Sequence, residues 1–318
     1  MDSFEKCRLS SEKMNWNFQE VLRELEFDFS KQFLPKRVCG MELPEWVSPY
    51  TSRKLNHLRG YSYAHIFLFV EEFIIMLTLS SVNKYLHTDS SAFSAMLRFT
   101  EEEAKHQRMF ILMKEILAKG LGFQPAEIPN HKEVAQTICN NSAFSVYLLT
   151  LALELLTQRH FIECFNEEAN QLDPGFVKIF RLHWIEEVQH TRLDILELKN
   201  LAEQMSEVEL CNSIVEFVDM LHYLKKQLVQ QNILDVKNLE TMLEHSYNDV
   251  HRQELFQALN KEFLWTFIIS GLNHEGFQGI YKKLIPSKAL QLPHIITLIQ
   301  EDSKLTMTEL SGLNPNHN

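Results

Sequence analysis

Two Glu-x-x-His pairs, lying in separate helix-favouring stretches, constrain this chain of 318 residues more than any other feature of its sequence. One joins Glu103 to His106 in TEEEAKHQRMF, and the other joins Glu187 to His190 in RLHWIEEVQHTRLD. Residues three apart on a helix share a face, so each pair can grip one metal ion with one oxygen and one nitrogen. A single pair is ordinary on a helix surface. Two copies, each preceded by a long helical stretch with a carboxylate set in apolar sequence, describe a bundle core built around two metal ions.

The rest of the sequence agrees with an all-helical fold. Nine Gly and nine Pro are few breakers for this length, and Leu, Glu, Lys and Gln favour long helices. Five long helical patterns are predicted near residues 57–87, 90–119, 131–170, 174–204 and 206–232. Breaks are marked by Asp89-Ser90-Ser91, by Gly120 and Gly122, and by Asp173-Pro174-Gly175. Two further helices are expected near 236–246 and 250–271, after which Gly271, Gly276 and Pro286 interrupt the tail. Residues 1–55 read as a capping segment, with one helix around Asn17 to Gln32 and a loop through Pro35, Pro44 and Pro49. We expect a single domain over 1–318, with the metal-binding bundle at 57–204 and additional helices and tail at 206–318.

Helical phase, about 100° per residue, selects the remaining ligands. In the first long helix Ser62, His65, Ser80, Asn83 and His87 fall together with Glu72. Glu71 lies among Ala64, Phe67, Ile74 and Ile75, so it is the better ligand, with Glu72 as the alternative. In the third, Arg159, Glu163, Asn166 and Asn170 mark the outer face, and Glu154, within LLTLALELLT, points away from it. A buried carboxylate without a partner is costly, so Glu154 needs a cation. Arg98, Glu101, Lys105, Arg108 and Glu115 lie opposite Glu103 and His106. Lys178, Arg181, Gln189, Arg192 and Lys199 lie opposite Glu187 and His190. His183, four residues before Glu187, brings a third imidazole to the same face. Asp194, one turn beyond His190, is placed to accept an N–H from a ligating imidazole.

This pattern resembles the p-aminobenzoate N-oxygenase (AurF-type) di-iron family of the ferritin-like superfamily. The resemblance covers roughly Tyr61 to Asp194 and is carried by Glu71, Glu103, His106, Glu154, His183, Glu187 and His190. It implies a ferritin-like four-helix bundle with additional N- and C-terminal helices. It also implies two iron ions held by four carboxylates and three histidines, O₂ as co-substrate, and oxidation of an arylamine. Carboxylate and imidazole donors suit iron or manganese, so two irons are expected, with Fe/Mn and Mn/Mn centres as alternatives. Two other classes share the metal site: a ferritin-like protein that oxidises or handles iron, and a radical-generating subunit like that of ribonucleotide reductase. The latter needs a tyrosine near the metals, for which Tyr61, Tyr63 and Tyr147 are available. Tyr63, Tyr147 and His160 are also candidates for a substrate pocket.

A formal charge of -11 and a pI near 5.7 argue against a nucleic-acid surface. The N-terminus lacks an apolar signal core, and the greasiest stretch, Tyr61 to Ser80, carries Glu71 and Glu72 at its centre. Neither export nor a membrane span is expected. Five cysteines without a CxxC pair read as reduced thiols of a cytoplasmic protein. The expected partners are a small-molecule substrate and an external electron donor, and a homodimer is compatible with the sequence. Residues 207–318 have three roles open to them: covering the bundle, binding substrate, or forming a dimer interface. Lys225-Lys226 and Lys282-Lys283 read as solvated faces.

Overall fold

The computed structural model describes residues 3–40, 42–129 and 131–301, and within them every regular element is helical apart from a single bridge between Gln32 and Leu172. In chain order these are α1 (Ser3–Met14), α2 (Phe18–Leu22), α3 (Pro49–Tyr85), α4 (Ser90–Leu121), α5 (His131–Cys139) and α6 (Ala143–His160). A π-helical turn (Phe161–Phe165) follows, then α7 (Asn166–Glu168), α8 (Pro174–Ala202), α9 (Glu207–Leu243) and α10 (Asp249–Leu264). A second π turn (Trp265–Ile269) leads into α11 (Ser270–Leu272), α12 (Glu275–Leu284) and α13 (Leu292–Glu301).

Four helices make the bundle. α3 packs along α4, α6 packs along α8, and the two pairs meet through α4–α8 and α3–α6 contacts. Local chemistry sets their ends. Asp89 accepts from the backbone N–H groups of Ser91 and Ala92 at the start of α4, and Gly122 takes the left-handed conformation just past its end, at φ 82°. Asp173 caps α8 ahead of Pro174.

Other boundaries differ from the sequence reading. α3 begins eight residues early because Ser48 caps it and Pro49 occupies its first position, where a proline is tolerated. The helix expected over 131–170 is broken at residues 140–142, where Ser142 caps the start of α6. α9 runs through 232–236 as one helix, and the tail forms α12 and α13, with His274 capping just ahead of Gly276. The N-terminal helix lies at Ser3–Met14, with only α2 in the expected stretch.

The additional helices wrap the bundle. α1 lies on α4 and α8, α5 on α3, α9 on α3 and α6, and α11 and α12 on α6. By length and composition α3 could cross a membrane, but 67% of its apolar window is buried inside the fold. Its apolar surface is bundle core. Wrapping also buries residues assigned to outer faces. Ser62 and His65 are enclosed, Ser62 donating to Asp235 Oδ1 of α9 at 2.6 Å. Lys105 lies under Trp16, its ammonium 4.5 Å from the ring centroid, and Gln189 is buried as well. Lys225 is not solvated either: its ammonium donates to the Ile299 carbonyl of α13 at 2.7 Å.

Candidate metal centre

The bundle brings Glu71 of α3, Glu103 and His106 of α4, Glu154 of α6, and His183, Glu187 and His190 of α8 into one region, and all seven are buried. Two overlapping sets have one donor atom per residue with all atoms within 4.8 Å of one another: Glu71, His106, His183 and Glu187, and Glu103, His106, Glu187 and His190. Glu154 closes the ring from α6, its Oε1 4.0 Å from His190 Nδ1. Glu72, the alternative to Glu71, is only half-buried.

Within the ring, His190 Nδ1 is 2.7 Å from both Glu103 Oε1 and Glu187 Oε2. His106 Nδ1 is 3.2 Å from Glu187 Oε1 and 3.6 Å from Glu103 Oε2. His183 points its Nε2 inward, 2.5 Å from Glu187 Oε1 and 3.1 Å from Glu71 Oε1. Close as these groups lie, Glu71 Oε2, both oxygens of Glu103 and His106 Nδ1 meet no partner in hydrogen-bond geometry among the described residues. Buried donors and acceptors of this kind are normally satisfied, and a cation satisfies them together.

Titration reflects the crowding of charge. Burial first, then the Glu103 charge, raise Glu71 to about 7. Burial and the Glu187 charge hold Glu154 well above the carboxylate range. Burial and the Glu187 charge also oppose ionisation of Glu103, yet the positive charge of His190 and the nearby polar groups of Glu71 and His106 bring it down to about 2. Burial works against the imidazolium of His106 and His190, but the surrounding carboxylates prevail and raise both well above their usual range. Protons thus balance these carboxylates in the absence of other cations.

Two residues not singled out in the sequence, Glu102 and Glu186, orient the imidazoles. His106 Nε2–H donates to Glu186 Oε2 at 2.9 Å, and His190 Nε2–H donates to Glu102 Oε2 at 3.1 Å. Each carboxylate precedes the glutamate of one Glu-x-x-His pair and holds the histidine of the other. Both rings therefore turn Nδ1 inward. Glu186 is anchored by an ion pair with Lys105, and Glu102 accepts from Ser11 Oγ at 2.5 Å with Arg98 at 3.6 Å. The signal was present as a doubled Glu-Glu-x-x-His. Its first glutamate lies one step out of phase with the ligands, where phase alone points outward.

Asp194 does not take the role expected of it. Both its oxygens are buried without a partner among the described residues, and the outward N–H groups of His190 and His106 are taken by Glu102 and Glu186. Tyr63, His160 and Tyr147 are enclosed in packed core. Tyr63 Oη lies 2.6 Å from His160 Nδ1, and Tyr147 Oη lies 2.6 Å from Ser81 Oγ. Burial and the nearby Arg159 and Arg37 lower His160 to about 3, so its ring is neutral and accepts from Tyr63. Aromatic rings sheathe the cluster instead. Phe99 stacks on His190 at 4.0 Å, and Phe67 and Phe110 meet His183 edge-on at 5.2 and 5.1 Å.

No protein-family model matches the sequence, and no curated protein matches it. Among solved structures, an R2-like ligand-binding oxidase with an aerobically reconstituted Mn/Fe cofactor superposes with a TM-score of 0.43 at 14% identity, covering 81% of this chain and 91% of that one. A mutant of an R2-like ligand-binding oxidase, also with a Mn/Fe cofactor, gives the same TM-score and identity over 81% of this chain and 92% of its own.

Proposed function

We propose that this chain is a non-haem dimetal oxidase or oxygenase of ferritin-like architecture that uses O₂ on a small organic substrate. The observation that carries the reading is the donor set: four carboxylates and three imidazoles, buried together, with inward atoms that no protein group satisfies. Glu71, Glu103, His106, Glu154, His183, Glu187 and His190 would hold two iron or manganese ions. Four carboxylates match the charge of two divalent cations, and this mix of oxygen and imidazole nitrogen suits those metals. When bound, such a pair supplies the electrons with which O₂ is first reduced.

The remaining contributions come from the chain itself. Glu102 and Glu186 hold the imidazoles of His190 and His106 by their outer nitrogens, so the inner nitrogens are free for ligation. Phe67, Phe99 and Phe110 exclude water from the histidine side. An apolar cavity of about 30 Å³ lies between α3, α6 and α9, lined by Ile66, Val70, Phe73, Leu153 and Phe267. Val70 and Leu153 adjoin Glu71 and Glu154 in sequence. An apolar or aromatic substrate suits that lining, and a molecule the size of an arylamine enters it only if the phenylalanines rotate. N-oxygenation of an arylamine is the first reaction to test.

The test is metal content of the purified protein together with O₂ uptake after anaerobic reduction, with and without an arylamine. About two iron or manganese ions per chain, O₂ consumption, and arylamine-dependent product support the proposal. Absence of metal after reconstitution, or a single zinc per chain, refutes it.

A further inference from the structure

Reducing O₂ to water consumes one proton for each electron, so a site sealed by aromatic rings needs a route for protons. Three polar chains leave the cluster. Two run outward from His106 through Glu186 to Lys105, and from His190 through Glu102 to Ser11 and Arg98. Each begins on the N–H of a ligand imidazole, which cannot pass a proton inward without giving up the bond that orients it.

The third chain has no such block. Along α8, Glu187, His190, Asp194 and Glu197 recur at three- and four-residue intervals on one face, and all four are buried. On α6, Glu154, Thr150 and Tyr147 form the matching stripe. The antiparallel register that sets Glu154 beside His190 and Tyr147 beside Glu197 sets Thr150 opposite Asp194. The Thr150 hydroxyl and both Asp194 oxygens meet no partner among the described residues, so they do not bond each other directly, and a water between them would satisfy both. Beyond them, Tyr147 Oη lies 2.6 Å from Ser81 Oγ, and Ser81 Oγ donates to Glu197 Oε2 at 3.4 Å. Tyr85 Oη donates to Glu197 Oε1 at 2.5 Å and accepts from Asn200 Nδ2 at 3.3 Å, and Asn200 is half-exposed.

We propose that Tyr85, Glu197, Ser81, Tyr147, Thr150 and Asp194, with Asn200 positioning Tyr85 at the solvent end, form the path by which protons pass between solvent and the Glu154 side of the metal centre. Each hydroxyl accepts a proton on its oxygen as it releases its own, and Glu197 and Asp194 accept at one carboxyl oxygen and release from the other. The Ser81 and Tyr147 hydroxyls, which point toward Glu197 at rest, turn as the proton passes, so no net charge accumulates along the path. Asp194 and Glu197 are positioning and relay residues, outside the ligand set. The inference rests on the oxidase reading for its purpose and on the side-chain geometry for its existence.

Infrared spectroscopy of the full-length, metal-loaded protein tests it. The carboxylic C=O band of a buried acid shifts when its proton exchanges in D₂O, and the difference between wild type and Asp194→Asn isolates the Asp194 band. Glu197→Gln is expected to slow exchange of that band at least tenfold, and the milder Tyr85→Phe about threefold, with metal content unchanged in both. A pH-indicator dye should show proton uptake during a single O₂ turnover slowed by a similar factor. Three results would overturn the proposal: wild-type exchange in both variants, no band that Asp194→Asn removes, or loss of metal from Asp194→Asn. Slowed exchange in a protein that takes up no O₂ would support the path and sink the oxidase reading.

Discussion

The crossed pairing of Glu102 with His190 and Glu186 with His106 makes a quantitative prediction, because the two pairs are alike toward the metals and unlike toward the fold. Removing a carboxylate that orients a ligand histidine costs 10–100-fold in metal affinity, or about 1.4–2.7 kcal/mol. Glu186→Ala and Glu102→Ala should therefore weaken metal binding equally. Their effects on the metal-free protein should differ. Glu186 is the counter-ion of Lys105, whose side chain is 8% exposed. Breaking such a buried pair costs about 3–5 kcal/mol, and the low end is expected since Asn15 Oδ1 at 3.0 Å and the Trp16 ring still face the ammonium. Arg98, the cation beside Glu102, is 20% exposed and 3.6 Å away. Water replaces that interaction at a cost of about 1 kcal/mol. Competition with a chelator reads the first quantity, and denaturant unfolding of the chelated protein reads the second. Wild-type affinity in both variants would refute the orienting role. Affinity losses that track the stability losses, instead of matching each other, would show that the carboxylates act only through the fold.

Glu71→Ala should lose at least half of the bound metal while Glu72→Ala, at a half-buried position, keeps all of it; elemental analysis decides, and equal loss would place the ligand wrongly. Proton linkage gives a second expectation. Glu71, raised to about 7, and the raised imidazoles of His106 and His190 bind protons more tightly when folded. Their stabilisation is present at pH below the unfolded values, about 4.3 for Glu and 6.5 for His, and is lost as pH rises through the folded ones. The chelated protein should then lose stability between pH 5 and 8, Glu71 alone accounting for a share of up to about 3 kcal/mol, about half of it above pH 6. Metal replaces those protons, so the loaded protein should hold its Tm, and calorimetry of the two forms checks the contrast. Gly271→Ala would set a Cβ 2.2 Å from the Ala152 carbonyl oxygen of α6. Backbone cannot yield as a side chain does, so a loss near the top of the usual 1–3 kcal/mol for overpacking is expected in thermal unfolding.

The bundle was legible in the sequence because two local rules coincide there. Capping residues such as Asp89, Gly122 and Asp173 mark helix ends wherever the chain folds, and the 3.6-residue period puts a buried carboxylate on the same face as its apolar neighbours. Glu71, Glu103, Glu154 and Glu187 each stand inside such a face, so the Glu-x-x-His spacing and helical phase together drew them with His106, His183 and His190. The same rule misreads any polar face that a second layer covers. Lys105, Ser62, His65, Gln189 and Lys225 follow a solvent pattern on their own helices. All are buried: Trp16 covers Lys105, α9 meets Ser62, Glu127 and Ile128 meet His65, and α13 meets Lys225. Nothing local to α4 announces that Trp16, almost ninety residues earlier, will cover Lys105. Glu102 and Glu186 are the instructive case: a glutamate one step outside a ligand stripe looks like surface charge until a neighbouring helix presents an imidazole N–H to it. In this bundle the candidate ligands are encoded by each helix's own period, whereas the groups that orient their imidazoles are encoded by the contacts between helices. A doubled acidic residue ahead of both x-x-His pairs is the trace of those contacts that survives in the sequence.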